Sequence, residues 1–289
     1  MTTETPGANE QAGRWPAPGK LNLTLRIVGR RPDGYHLLQT VFQFIDLCDW
    51  LTFRVLVTDE VLLRNPLPGV PAEQDLTVRA ARLLQQESGC RRGVEITVDK
   101  RLPMGGGLGG GSSDAATTLL ALNRLWGLGF SNERLQALGL CLGADVPVFV
   151  KGVGAWAEGV GEQLTPVDLP EPWYVVLVPD CPVATAKVFA APDLTRNSEP
   201  IKINDFLSGN RINDCLPVVR EMYPPVRRAL EDLGCEAGES RLTGTGACVF
   251  AECSSKSQAE SVARNLSARW DARVTRGMNR SPALIMAQG

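Results

Sequence analysis

The chain has 289 residues, and because the commonest domains have ~100–150, this length favours two medium-sized domains. Thirty basic side chains against thirty-two acidic ones give a formal charge of -2, which excludes a general positive field for binding nucleic acid. A hydrophobic content of 44% with 21% charged residues is typical of a globular protein and excludes disordered, collagen-like and coiled-coil chains. Any bound anion must therefore be held by a local site.

The eight cysteines are scattered, with no C-x-x-C pair, and the chain contains a single histidine. Because zinc-ligand spacing is absent, we interpret the cysteines as reduced thiols of a cytoplasmic protein. Residues 1–13 lack the basic-then-apolar order of a signal peptide, and no apolar run reaches the ~20 residues of a membrane span. We expect residues 1–13 to form a disordered tail.

The first half is predicted to mix strands and helices. Residues 20–28 alternate between apolar and polar side chains, as a half-buried strand does, and Asp75 precedes a segment of helical spacing that it can cap. The predicted strands are 20–28, 41–45, 50–57 and 94–98. The predicted helices are 75–86, 115–125 and 131–140, with a turn at 31–34.

The second half repeats a mixed pattern. The predicted strands are 173–178, 247–251 and one near Arg273, and the predicted helices are 214–222, 225–233 and 258–268. The stretch 159–172 is richer in proline and glycine, which favours a domain boundary there. We therefore expect domains at 14–160 and 161–289.

The strongest local feature is a loop with six glycines in the seven positions from Gly105 to Gly111. A backbone without Cβ atoms can direct successive N–H groups at phosphate oxygens, and the following helix N-terminus adds partial positive charge. We interpret this loop as an anion site rather than a flexible linker. Ser112, Ser113 and Asp114 could instead cap the helix, and metal ligation is an alternative for Asp114.

The type of anion loop can be narrowed. Ser112-Ser113 follow the glycines where a Walker A loop needs lysine, so that class is excluded. Gly105, Gly107 and Gly110 match the G-x-G-x-x-G of dinucleotide folds, but the preceding strands do not alternate with crossover helices. A Rossmann dehydrogenase is therefore the less favoured alternative.

Three motifs in order along the chain resemble those of the GHMP kinases, named for galactokinase, homoserine, mevalonate and phosphomevalonate kinases. They are the P-x-K-L-N strand at 18–22, the glycine loop at 103–116 and a late glycine loop at 242–248. The resemblance implies an α+β fold of two domains, a mixed α/β ATP-binding domain followed by a ferredoxin-like one, with the active site in the cleft between them. It also implies ATP and Mg2+ as cofactors, with the metal ligands unassigned.

Further segments at 15–22, 31–36, 143–147 and 240–247 narrow this resemblance to one branch of the family. That branch phosphorylates the 2-hydroxyl of a cytidine diphosphate derivative of methylerythritol, in non-mevalonate isoprenoid biosynthesis. We expect this small-molecule partner, no nucleic acid or membrane, and a monomer or weak homodimer. A kinase of the homoserine or mevalonate class and a non-catalytic nucleotide-binding protein are the alternatives.

The resemblance assigns the catalytic roles to Lys20 and Asp145. Asp145 would accept the proton of the acceptor hydroxyl, and Lys20 would hold that carboxylate and the acceptor oxygen. A solvated strand lysine and a loop carboxylate after a helix are the alternatives. Nucleotide binding is assigned to Pro103, Met104, Gly105, Gly106, Gly107, Leu108, Gly109, Gly110, Gly111, Ser112 and Ser113, and the third glycine loop comprises Thr243, Gly244, Thr245 and Gly246.

The same resemblance assigns acceptor binding to Asn22, Tyr35, His36, Thr185 and Phe189. Tyr35 would stack on the cytosine, and His36 would hydrogen-bond its edge. We expect the neutral imidazole to supply both a donor and an acceptor through its two nitrogens. For Asn22, a capping or strand-edge role is the alternative.

Overall fold

The computed structural model describes residues 13–67 and 69–289. Its central feature is an antiparallel pair of long strands, β1 (Trp15–Arg30) and β2 (His36–Leu56). The predicted strands 41–45 and 50–57 are parts of β2, because continuous burial from Gln39 to Ile45 hides the period-2 alternation. Apart from Gly13, the predicted tail 1–13 lies outside the described residues.

The N-terminal half places helices against one face of this sheet. Asp75 begins the first helix as predicted, and its Oδ1 accepts a hydrogen bond from the Thr77 N–H at 2.8 Å. The strands of this half are β3 (Val61–Leu63), β4 (Gly93–Asp99), β5 (Ala155–Glu158) and β6 (Gln163–Pro166). Its helices are α1 (Leu76–Ser88), α2 (Gly110–Leu125), α3 (Asn132–Leu140) and α4 (Val146–Lys151).

The C-terminal half is an antiparallel sheet covered by helices. Its strands are β7 (Trp173–Val178), β8 (Arg241–Leu242), β9 (Val249–Cys253) and β10 (Asp271–Met278), in the order β10-β7-β9-β8. Its helices are α5 (Thr185–Ala190), α6 (Ile203–Leu207), α7 (Leu216–Met222), α8 (Pro224–Ala237), α9 (Lys256–Leu266) and α10 (Pro282–Gln288). The last helix, which the sequence patterns did not predict, packs on α2 and β1 of the N-terminal half.

The two halves are joined through the sheet and through their cores. At the end of β10, Gly277 pairs with Ile45 of β2, so the strands of both halves form one continuous sheet. Leu25 and Ile27, near the end of β1, are buried in the core of the C-terminal half. The strand pair β5–β6 spans the expected boundary at 160/161, which stays a prediction. Within 13–67 and 69–289, no helix combines the length and apolar character that a bilayer crossing requires.

Candidate active site

A cleft of about 1030 Å³ lies between the two halves. The predicted site residues that line it are Lys20, Asn22, Tyr35, His36, Pro103, Met104, Gly105, Gly106, Gly107, Gly109, Gly110, Gly111, Ser112, Asp145, Thr185, Phe189, Gly244 and Thr245. Four others do not line it: Leu108, Ser113, Thr243 and Gly246. Leu108 instead packs in the core, fully buried. The structure thus brings the three motifs and both groups of predicted binding residues to one cavity.

Lys20 is held at the centre of this cleft. Its side chain is only 4% exposed, and its Nζ lies 2.5 Å from Asn22 Oδ1, 3.0 Å from Gly107 O and 3.4 Å from Asp145 Oδ2. A buried ammonium is tolerated only when it has such partners. The solvated-lysine alternative is therefore wrong.

Asn22 fixes that arrangement from inside β1. Its Nδ2 donates to Thr40 Oγ1 at 2.9 Å, which leaves Oδ1 to face Lys20. Its backbone N–H donates to Thr243 Oγ1 at 3.0 Å, so the third glycine loop is tied to the same strand. Both ends of the Asn22 amide are engaged within β1, so Asn22 caps no helix. Among the described strands β1 pairs only with β2, so Asn22 does lie on a strand edge, which the Thr243 hydroxyl covers.

Asp145 lies directly before α4 and not in a loop that ends α3, which stops at Leu140. Its carboxylate makes no capping hydrogen bond with the helix, and its side chain is 37% exposed. One oxygen faces Lys20 while the group also lines the cleft. This carboxylate is positioned by the ammonium and accessible to a bound hydroxyl.

The two glycine loops pack directly on each other. A Cβ at Gly107, where φ is +78°, would lie 2.4 Å from Thr243 O, and one at Gly106 would lie 2.6 Å from Cys248 Sγ. The Cys248 N–H donates to Gly106 O at 3.0 Å. These glycines are therefore required for contact between loops, in addition to any approach to phosphate.

The helix α2 begins inside the glycine loop, earlier than the predicted 115. Gly109 occupies the N-cap with φ +75° and gives no side-chain cap, and the Ser113 N–H makes the hydrogen bond to Gly109 O at 2.8 Å. The N–H groups of Gly110, Gly111 and Ser112 precede that bond, where a helix leaves its amide groups without intrahelical partners. With the helix dipole they form a site for an anion.

Asp114 does not cap α2, so that alternative is wrong. It is buried one turn into the helix, where its Oδ2 accepts from Lys100 Nζ at 2.7 Å, and Lys100 also donates to Asp49 Oδ2 at 2.5 Å. Asp49 Oδ1 additionally accepts from the backbone N–H groups of Arg101 and Leu102. Among the described residues, no group of three His, Cys, Asp or Glu side chains could hold a metal ion.

With both carboxyls ionised, Lys100, Asp49 and Asp114 carry a net charge of -1. Burial raises the pKa of Asp114 to about 7, with Asp49 adding to the rise and Lys100 opposing it. Burial alone would lower the pKa of Lys100, but the carboxylates of Asp114 and Asp49 outweigh it and raise that pKa. Asp114 Oδ1 is buried without a hydrogen-bond partner in the described part of the chain, so no hydrogen bond offsets the burial of that oxygen.

The other end of the cleft carries the aromatic side chains. His36 stacks on Phe189 with ring centroids 4.9 Å apart and planes 26° apart. Tyr35 follows the turn at 31–34 and is 62% exposed. The hydroxyls of Thr185 and Thr245 lie 2.9 Å apart, which joins α5 to the third glycine loop.

His36 has only one nitrogen available for a ligand, which corrects the expectation that both would serve. Its Nε2 accepts a hydrogen bond from Arg196 Nε at 3.3 Å. Burial lowers the pKa of His36, and the nearby Arg196 and Arg30 lower it further. The ring is therefore neutral at neutral pH, and its Nδ1 makes no hydrogen bond with any described residue.

The sequence patterns missed Lys100, Asp49 and Arg196. Lys100 lies three residues before the loop segment that starts at Pro103, and a cation near a phosphate loop was a signal that could have found it. Asp49 lies 51 positions from Lys100, and Arg196 lies 160 positions from His36. No local pattern marks those two.

Two family models match this chain: the GHMP kinases N terminal domain over residues 75–153, and the GHMP kinases C terminal over 187–272. A protein of Methylococcus capsulatus named 4-diphosphocytidyl-2-C-methyl-D-erythritol kinase is 59% identical over 93% of this chain and 92% of its own. One of the same name from Nitrosococcus oceani is 56% identical over 92% of this chain and 95% of its own.

Solved structures of related kinases are also similar to this chain. A crystal structure of 4-(cytidine 5'-diphospho)-2C-methyl-D-erythritol kinase superposes with a TM-score of 0.80 at 32% identity, covering 92% of this chain and 99% of that one. Homoserine kinase from Cytophaga hutchinsonii, with a TM-score of 0.66 at 17% identity over 97% and 98%, shares the fold. The expected two-domain fold is confirmed, and the chain belongs to the GHMP kinase family, among the 4-diphosphocytidyl-2-C-methyl-D-erythritol kinases.

Proposed function

We propose that this chain transfers the γ-phosphoryl group of ATP to the 2-hydroxyl of 4-diphosphocytidyl-2-C-methyl-D-erythritol, in non-mevalonate isoprenoid biosynthesis. As a GHMP kinase it is an ATP-dependent small-molecule kinase, and relatives 56–59% identical carry the name of a kinase of this acceptor. The observation that supports the finer assignment is one cleft lined by the anion loop, by Lys20 and Asp145, and by the aromatic pocket. Lys20 contacts the loop, and His36 lies opposite Arg30, ten positions further along β1.

The transfer needs a proton acceptor and compensation of negative charge. Asp145 takes the proton of the acceptor hydroxyl as that oxygen forms its bond to the γ-phosphorus. The bond from the γ-phosphorus to the bridging oxygen breaks, and ADP leaves. Lys20, 3.4 Å from Asp145 and held by Asn22, orients the carboxylate and offsets charge on the transferring group.

The phosphates of ATP bind at the start of α2 in this proposal. The N–H groups of Gly110, Gly111 and Ser112 supply the donors, and the rest of the loop is supported from behind by the third glycine loop. Leu67, Val70 and Leu76 line the same end of the cleft and offer apolar surface to the adenine ring.

The acceptor base binds at the opposite end. Tyr35 stacks on the cytosine, with Phe189 and Thr185 closing the pocket around His36. The Lys20–Asn22 hydrogen bond makes Asn22 a support for the lysine at least as much as a ligand of the acceptor.

We infer that Mg2+ arrives with ATP, since Mg2+ bound to substrate phosphates needs only one or two protein oxygens. The donors present fit that mode. Ser112 and Asp145 both line the cleft, and a Cβ on Gly143 would lie 3.9 Å from Ser112 Oγ, so the hydroxyl adjoins the turn before Asp145. When bound, the ion neutralises charge on the phosphates.

We place the domains at 14–160 and 161–289. We also propose that the enzyme is a monomer or a weak homodimer. All eight cysteines are free thiols, which supports a cytoplasmic location.

An assay of ATP consumption tests this function. The protein is mixed with MgATP and the cytidine acceptor, homoserine or mevalonate, and the product is identified by phosphorus NMR. We expect a new phosphomonoester only with the cytidine compound. Phosphorylation of homoserine or mevalonate in its place would contradict the acceptor assignment, and ATP binding without turnover of any acceptor would indicate a non-catalytic protein.

A further inference from the structure

We propose that Arg196 is a positioning residue for the acceptor pocket: it fixes His36 as the tautomer with its proton on Nδ1, so that the ring presents a hydrogen-bond donor to the base. This inference rests on the proposed function for the identity of the base. The tautomer itself does not depend on that function, and it is a property of the free protein.

The guanidinium of Arg196 is held by four backbone carbonyl groups around the end of α5. Its Nη2 donates to Phe189 O at 3.0 Å and Ala191 O at 2.6 Å, and its Nη1 donates to Leu194 O at 3.1 Å and Pro192 O at 3.5 Å. These four bonds fix the orientation of the guanidinium. Its remaining donor, the Nε–H, donates to His36 Nε2 at 3.3 Å.

An arginine can only donate hydrogen bonds, and this dictates the state of the imidazole. Since His36 Nε2 accepts from Arg196, Nε2 carries a lone pair, and the proton of the neutral ring resides on Nδ1. No described residue accepts a hydrogen bond from Nδ1, and His36 lines the cleft. A base that meets this donor must offer an acceptor atom, as cytosine does with O2 and N3.

The charged groups around His36 favour the same neutral state. Arg196 approaches from the segment after α5, and Arg30 lies opposite His36 in the β1–β2 register. The carboxylate of Asp33 in the intervening turn is paired with Arg31 at 2.7 Å. Burial and the two nearby arginines lower the pKa of His36, so protonation does not compete near neutral pH.

The same side chain connects the two aromatic walls of the pocket. Arg196 binds the carbonyl of Phe189 and the ring of His36, and these two residues stack at 4.9 Å. Loss of the guanidinium therefore frees both the tautomer of one ring and the position of the other.

The test uses nitrogen-15 NMR of the imidazole, which needs no assignment because His36 is the only histidine. In the free wild-type protein at pH 7.5, we expect protonated Nδ1 and unprotonated Nε2. Arg196→Met, which keeps an unbranched stem as far as the position of Nε and removes every donor, should shift the population toward the Nε2-protonated form. Arg30→Gln is the matched control, since Arg30 Nε donates to Gly34 O and not to His36, and it should leave the tautomer unchanged.

Kinetics supply the second readout. Arg196→Met should raise KM for the cytidine acceptor by about 3- to 10-fold, the loss expected for one hydrogen bond, with KM for ATP and kcat close to wild type. Arg196→Lys, which can still donate to Nε2, should recover part of that loss. If the His36 ring of the wild-type protein is protonated on Nε2, this inference is overturned while the proposed function stands. That measurement does not depend on any variant folding. If the ring has the expected tautomer but its Nδ1 signal does not move when the acceptor is added to saturation, the base pocket of the proposed function would be overturned instead.

Discussion

The transfer centre and the acceptor pocket occupy one cleft but are built differently. Lys20 is 4% exposed and held by Asn22, Gly107 and Asp145, whereas Tyr35 is 62% exposed and follows a surface turn. The first group is fixed by β1, the glycine loop and the start of α4, with Thr243 of the C-terminal half bonded to Asn22. The second group lies at the surface turn, the first residue of β2 and the short helix α5. We infer that the geometry of phosphoryl transfer is preorganised by the fold, while recognition of the base relies on groups that can be removed at little cost to folding.

The largest effect is expected at Gly109, which supports the transfer centre from the loop. With φ at +75°, a Cβ there would lie 2.8 Å from the Phe149 ring and 3.2 Å from Lys20 Cε. Gly109→Val should therefore displace both the loop and the lysine, abolish measurable ATP binding in calorimetry and lower Tm.

Gly111→Ala is the matched control for that variant. Its Cβ would meet Leu76 Cδ1 at an ordinary 3.6 Å within α2, so Tm should stay within a few degrees of wild type. A Gly109→Val protein that binds ATP normally would show that the loop does not hold the phosphates.

Asp145→Asn tests the proton acceptor, with nearly the same shape but no capacity to accept a proton. Turnover should fall by about 100- to 10,000-fold, the range for loss of a general base, while affinity for ATP is retained. Asp59→Asn, on the exposed surface, is the control for a general loss of charge. Near-normal turnover of the Asp145 variant would remove this residue from the mechanism.

Tyr35→Ala tests the acceptor end. Because stacking on an aromatic ring contributes ~1–3 kcal/mol per base, the dissociation constant of the cytidine acceptor should rise by roughly 5- to 150-fold. Affinity for ATP and Tm should not change, since the ring is exposed and distant from the glycine loop. Phe189→Ala should weaken the acceptor similarly. Calorimetry with each ligand decides, and equal loss of ATP affinity would contradict separate sites.

Asp114→Asn tests the charge cluster of Lys100, Asp49 and Asp114, of which Lys100 and Asp114 line the cleft beside the glycine loop. Burial raises the pKa of Asp114 to about 7, so the native state keeps a proton that the unfolded chain has already released at lower pH. The contribution of this group to stability therefore falls as pH rises from about 4 to about 7.

Thermal unfolding at pH 5.5 and pH 8 measures that contribution. Between these values the wild-type Tm should fall by roughly 2–6 °C more than that of Asp114→Asn, and catalysis should change less than in the Asp145 variant. Identical pH profiles for the wild-type and Asp114→Asn proteins would show that Asp114 is ionised throughout this range.

The features that the sequence patterns predicted correctly are those that depend on interactions between neighbouring residues. The glycine loop, the Asp75 cap and strand β7 depend on adjacent residues, and the structure has them where the local patterns indicated. Strand β2 was divided because the buried run hides its alternation. The short helix α10 carries no distinctive period, and contacts with the distant α2 and β1 stabilise it.

In the candidate active site too, local patterns identified residues but not the long-range contacts between them. Lys20 and Asp145 were assigned from motifs, but the 3.4 Å contact between them depends on α2, which packs on both β1 and α4. Sequence chemistry identified His36, and yet its second nitrogen is occupied by Arg196, whose approach is set by the path of the chain after α5. Long-range contacts of this kind leave no spacing pattern in the sequence.

The transfer centre and the acceptor pocket should contribute independently to catalysis. The double variant Tyr35→Ala/Asp145→Asn tests this independence most directly. Single-turnover kcat/KM is measured for the wild type, both single variants and the double variant. Distant, independent sites add in free energy to within ~0.5 kcal/mol, so the double variant should show the product of the two single losses to within about 2-fold. A double variant no slower than Asp145→Asn alone would contradict the account, because it would show that Tyr35 acts only through the proton acceptor.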